Sequence, residues 1–152
     1  MYQIRVPVDA PAIEVTLTGC VPAGEALRAI SQAGALASAG GLGRALCDLR
    51  GVQQGPERDA FPVIEAALRD ALQPGRRAAL LCRDEQLGLL RRLVRGAGGE
   101  IGVFTRVDDA RSWLAGRPVQ RLSGAARRHL EAAPAPGRGD EAQIRGVSSK
   151  AG

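Results

Sequence analysis

The side chains here that could carry chemistry are paired acids, three thiols, one imidazole and many arginines. The candidate acid–base pairs are Glu57 with Asp59 and Asp84 with Glu85. Neighbouring carboxylates can divide into proton donor and acceptor when their surroundings push their pKa values apart. Both pairs fall where a helical pattern begins, and acids there complement the helix dipole and cap the first amides. Capping is therefore the reading adopted. The thiols, Cys20, Cys47 and Cys82, are odd in number and distant in sequence, with neither CxxC nor zinc-finger spacing. They read as reduced, mostly buried small apolar residues. The one histidine, His129, lies in the C-terminal segment, so neither a Ser/His/Asp or Cys/His set with a fold-held base nor a His/Cys metal site is expected. No catalytic residue, metal ligand or cofactor is assigned.

The glycines form no phosphate cradle. Gly19 and Gly24 have GxxxxG spacing after a strand, but Glu25-Ala26 stand where a P-loop needs Lys and Ser/Thr. Gly40, Gly41 and Gly43 precede a strand instead of following one, so they are not a dinucleotide fingerprint. The arginines cluster at Arg76-Arg77, at Arg91, Arg92 and Arg95, and at Arg127-Arg128. One Trp, one Tyr and two Phe give little for stacking on nucleic acid. Nucleic acid is therefore not expected as a partner, and Arg91, Arg92 and Arg95 read as a solvated helix face.

These residues must be positioned by something, and periodicity says what. "IEVTLT", residues 13–18, puts Ile13, Val15 and Leu17 on one face and Glu14, Thr16 and Thr18 on the other, a half-buried strand. "YQIRVPV" before it alternates too, and Asp9-Ala10-Pro11 makes a turn, so the chain opens with a hairpin whose Pro7 suits only an edge strand. Leu27, Ile30, Gly34 and Ala37 predict a helix over 25–38, stopped by Gly40-Gly41. "RALCDL", 44–49, predicts a strand ending at Gly51. Phe61, Ile64, Leu68 and Leu72 predict a second helix with Asp59 as N-cap, since Pro62 belongs in a first turn. "RRAALLC", 76–82, predicts a strand. Asp84 is expected to cap a third helix with Leu87, Leu90 and Val94 inward. "EIGVFTRV" predicts the last strand, and Asp108 or Asp109 the cap of a short helix burying Ala110, Trp113 and Leu114.

Strands alternating with helices indicate an α/β fold: an N-terminal β-hairpin, then βα units forming a mostly parallel sheet. If each strand adds beside the last, right-handed crossovers place all helices on one face. The other face then needs a cover, a partner or polar side chains, and Glu14, Thr16 and Thr18 fit the last of these.

The chain has 152 residues, 45% apolar and 24% charged, as in an ordinary soluble globule. The domains expected are a body over 1–116, an amphipathic helix over 117–133 and a flexible basic tail over 134–152. The net charge of +5 sits mostly in the last two: residues 1–116 carry fourteen Arg against thirteen acids. No apolar run approaches the roughly 20 residues of a membrane helix, and no signal peptide is read at the N-terminus, so a cytoplasmic setting is expected.

Ligands of open parallel sheets favour the carboxyl ends of the strands, where helix N-termini converge. On this chain that rim offers Asp48, Arg50, Gly51, Gln53, Gln54, Glu57, Arg58, Asp59, Arg83 and Asp84 as candidate partner- or ligand-binding residues.

At "DLRGV", residues 48–52, the pattern resembles the STAS domain, the fold of anti-sigma-factor antagonists and of sulfate-transporter tails. The likeness covers about residues 4–116. "IEVTLTG" is similar to that family's opening strand, and "VFTRVDDARSWL" to the close of SpoIIAA-like proteins. The resemblance implies a non-enzymatic regulatory domain working through protein contacts at residues 48–59. In switching members "DLSGV" is followed by "IDSSG", with one serine phosphorylated. Here Gly55, Pro56, Glu57, Arg58 and Asp59 occupy those places, and no Ser or Thr lies between Ser38 and Thr105. Serine-switched control is therefore not carried over. The alternative is a small-ligand domain, for a lipid, nucleotide or anion, using the same rim or a pocket between the second and third helices. The protein partner is unidentified on either reading, and an oligomer is compatible with both. A concave apolar pocket with a few polar groups would favour the ligand; an exposed apolar patch would favour the protein.

Overall fold

Ile13, Val15 and Leu17, all buried, anchor the larger core, which the first three helices cover. Each such side chain stabilises by roughly 1.5–3 kcal/mol on leaving water. The computed structural model describes residues 1–116; the helix expected over 117–133 and the tail over 134–152 lie outside the described residues.

The elements follow the expected order. Strand β1 (Tyr2–Arg5) pairs antiparallel with β2 (Ile13–Cys20), and α1 (Ala23–Gly40), β3 (Arg44–Gln54), α2 (Phe61–Ala71), β4 (Arg77–Leu81), α3 (Asp84–Ala97), β5 (Glu100–Phe104) and α4 (Val107–Leu114) follow. The sheet runs β1-β2-β3-β4-β5, parallel from β2 onward. Strand β1 stops at Arg5, before the proline that could not donate to the ladder. Helix α1 ends as expected: Gly41 takes the left-handed conformation, φ 62°, and the Leu42 N–H donates to the Ala37 carbonyl.

Strand β3 outruns its expected end by several residues. Thr18, Gly19 and Cys20 pair with Gly51, Val52 and Gln54, with register shifts on the way. The long neighbour β2 supplies partners that the apolar run of β3 does not reveal. The expected caps also differ. Asp59 lies in a 3-10 turn (Arg58–Ala60), Ala60 is the N-cap of α2, Arg83 that of α3 and Arg106 that of α4. Asp84, Asp108 and Asp109 sit one to three residues inside their helices, where their charge faces the positive dipole end without a side-chain cap bond.

Helices α1, α2 and α3 cover one face of the sheet, and their buried Ala26, Ala29, Ile64 and Leu93 join Ile13, Val15 and Leu17 in one core. Helix α4 differs from the one-face expectation. It buries Ala110 and Leu114 against Leu46 and Ala79, which alternate to the opposite face. No strand follows α4 among the described residues, so no right-handed crossover fixes its side. It covers β3, β4 and β5 and leaves Glu14, Thr16 and Thr18 of β2 as the polar surface the sequence predicts.

Candidate functional site

Short side chains on α1 create the site. Ala26, Ala29 and Ala33 line it from the helix side, opposite Val15, Leu17 and Cys47 of β2 and β3. The space is left as a cavity of about 380 Å³ between the sheet and α1, α2 and α3. That lies within the range of small-molecule sites. Val15, Leu17 and Cys47 form its floor, and Phe61, Ile64 and Leu90 rise from α2 and α3. It reaches the loop after β3 at Gly55 and Pro56, and Leu89 at its edge is over a third exposed.

Polar groups gather around the opening. Gln53 comes from the end of β3, and Arg83, Glu85 and Gln86 from the start of α3. They are tied together. The Gln86 Oε1 accepts from the Arg83 N–H at 2.9 Å, and its Nε2 donates to the Val52 carbonyl at 3.2 Å. The Arg83 Nη2 donates to that same carbonyl at 2.8 Å, and its Nε pairs with Glu85 at 3.0 Å. The start of α3 is thus strapped to the end of β3 across one side of the opening.

The thiols separate by environment. Burial pushes the Cys47 thiol up to about 12, so it is protonated at neutral pH and acts as apolar wall. Cys82 is pushed up to about 11, by burial first and then by Asp84. Cys20 is exposed and lies 3.9 Å from Gln54 Oε1. Among the described residues no group of three or more His, Cys, Asp or Glu converges as a metal site.

Of the ten candidate residues, the structure brings Gln53 and Arg83 to the cavity. Asp48 and Arg50 bind each other: the carboxylate accepts from Nε at 3.0 Å and Nη2 at 2.7 Å. Asp48 alternates with the cavity-lining Cys47 and Leu49, so it points to the other sheet face. The Arg50 hydrogen bonds hold the Asp48 carboxyl below its ordinary 3.8, outweighing its partial burial. Gly51 answers a packing need. A Cβ there would stand 2.7 Å from the Thr18 Cγ2, where β2 and β3 shift register. Gln54 turns toward Cys20. Glu57, Arg58 and Asp59 are exposed on the turn beside Pro56, and Asp84 is exposed at the start of α3.

Sequence reading missed Cys47 and Gln86 as site residues; Gly55, Pro56 and Glu85 fall on the strand-end rim without being among the ten named candidates. Gln86 did carry a signal, since Gln three residues after a helix N-cap is half of a capping box. The alanines of α1 carried none, because small residues read equally well as close packing.

No protein-family model matches this sequence, and no curated protein matches it. Its architecture is shared by solved structures, among them the following two. One is the anti-sigma factor antagonist SpoIIAA in its unphosphorylated form, 11% identical, with a TM-score of 0.55 over 76% of this chain and 99% of that one. The other is a DUF3478-family protein with a SpoIIAA-like fold from Shewanella loihica PV-4, 19% identical, with a TM-score of 0.50 over 75% of this chain and 92% of that one. An antiparallel opening pair, a parallel run in sequential order and flanking helices thus make the described residues a STAS-type, SpoIIAA-like fold.

Proposed function

We propose that this protein is a non-enzymatic binding module that takes a small, mostly apolar molecule between its sheet and its first three helices. One observation carries this reading: a cavity of about 380 Å³ with apolar walls, opening at the carboxyl ends of the strands with polar groups only around the opening. A largely apolar enclosure with a few convergent polar groups is what ligand sites share. Burying the apolar part of a ligand supplies the affinity, at roughly 25 cal/mol per Å², and the polar rim supplies orientation. The test is native mass spectrometry of the purified chain for a retained small molecule, followed by calorimetric titration of whatever is released. Recovery of a stoichiometric apolar compound supports the reading. Protein that carries none and responds to no apolar probe counts against it.

A regulatory protein contact is the second reading. The SpoIIAA-like fold fits it, and Glu57, Arg58 and Asp59 stand exposed beside the cavity opening. Ligand occupancy and partner contact could then meet on one rim. Arg58→Asp is expected to abolish partner capture without unfolding the domain; an unchanged pull-down would remove the rim from consideration.

A further inference from the structure

We infer that the ligand is electrically neutral: a single apolar body with an uncharged hydrogen-bonding end, not a carboxylate, a phosphate or an ammonium compound. The inference rests on the ligand reading above and deepens it. The cavity walls bring no ionised group to the ligand, because Cys47 is protonated at neutral pH. The ionised side chains that do touch the cavity are Arg83 and Glu85, and they stand 3.0 Å apart as an ion pair. Their charges cancel at the opening. An anionic head seeking Arg83 would have to approach the Glu85 carboxylate or displace it, and a cationic head would meet Arg83. Charged groups leaving water gain nothing unless a partner compensates them.

The start of α3 does not alter this balance. A helix N-terminus ordinarily attracts anions, but here Asp84 and Glu85 occupy the first turn, so acid already faces the positive dipole end. Glu57, Arg58 and Asp59 of the flanking turn are exposed and do not line the cavity, so the ionised side chains that meet a ligand remain Arg83 and Glu85. What the opening offers a neutral head is amide chemistry: the exposed Gln53 carries both donors and an acceptor, while Gln86, tied to the Arg83 N–H and the Val52 carbonyl, keeps a spare lone pair on its oxygen. At the packing density of protein interiors, a cavity of this volume takes on the order of ten to fifteen heavy atoms.

The experiment is calorimetric titration of the full chain at pH 7.5 with 1-decanol, decanoate and decyltrimethylammonium, each below its solubility or micelle limit. The expected result is that the alcohol binds at least tenfold tighter than either ion. Glu85→Gln, which leaves Arg83 without its counter-charge, should narrow the gap between alcohol and decanoate about tenfold. Decanoate or the ammonium compound binding as tightly as the alcohol overturns neutrality while leaving the ligand reading intact. No binding by any of the three removes the ligand reading itself, and this inference with it.

Discussion

Asp48 and Arg50 form a two-pronged ion pair on one strand, with the Arg50 backbone N–H donating a third hydrogen bond to Asp48 Oδ1 at 3.0 Å. The pair sits across the sheet from the cavity, at the head of the "DLRGV" segment. Its role is testable by pH. The folded-state carboxyl titrates below its ordinary 3.8, so its contribution is complete above that value and is lost as pH falls through the lower folded value. Both partners are partly exposed, which limits the contribution to about 0.5–1 kcal/mol. Asp48→Asn should therefore lower stability by that amount at pH 7. The difference from the parent should shrink below pH 4 in urea titrations. A constant difference across the whole range would show that the charge is not the cause.

Ala29 leaves room that a ligand can fill, and a larger residue should fill it instead. Ala29→Leu keeps the helix propensity of α1 and adds apolar atoms inside the cavity, a gain of about 1–2 kcal/mol if they fit. We expect Tm to rise by several degrees and binding of 1-decanol to weaken at least tenfold. A variant that binds as the parent does would place the ligand elsewhere.

Gly51 and Thr18 are expected to be energetically coupled. Gly51→Ala sets a methyl against the Thr18 Cγ2 and should cost about 1–2 kcal/mol by overpacking. Thr18→Ser removes that carbon, and in its background the same Gly51→Ala change should cost less than about half as much. Additive effects in denaturant unfolding would mean the clash is not what selects glycine there.

The three thiols should react in two classes. Only the thiolate attacks a disulfide reagent. With pKa values near 12 for Cys47 and 11 for Cys82, the thiolate fractions at pH 8 are roughly one in ten thousand and one in a thousand. Ellman's reagent should therefore label Cys20, which is exposed, at least a hundredfold faster than the other two. Cys20→Ser should erase the fast phase. Three equal rates would mean the folded chain opens readily.

Much of this fold is legible from residue spacing. Strict alternation in β2, the helix stop at Gly41 and the strand–helix rhythm each follow from local rules, and together they imply the sheet. The direction of parallel strands also says which edge of the sheet collects the loops, but not which loop side chains face the cavity. What escapes is anything decided across elements. The buried residues of α3 are Leu93 and Ala97, with the expected Leu87, Leu90 and Val94 half-buried around them. Leu87 and Val94 are apolar as well, so the helix alone cannot choose between rotations some tens of degrees apart. The cavity is hidden for a related reason. An alanine toward a sheet means close contact or empty space according to the distance its neighbours impose, and Phe61, Ile64 and Leu90 set that distance from other elements. The helix starts are misread by a residue or two because Arg83 and Ala60, which seldom serve as N-caps, hold that position through backbone geometry.

Among the described residues, helix α4 is the one helix on its side of the sheet, over a small cluster of its own. Loosening it bares Leu46 and Ala79 while Ile13, Val15 and Leu17 stay covered by the other three helices. Two separate clusters of unequal size make opening of the smaller one the expected sub-global event. A disturbance that reaches only that side can be absorbed there, and the chamber on the opposite side keeps its shape.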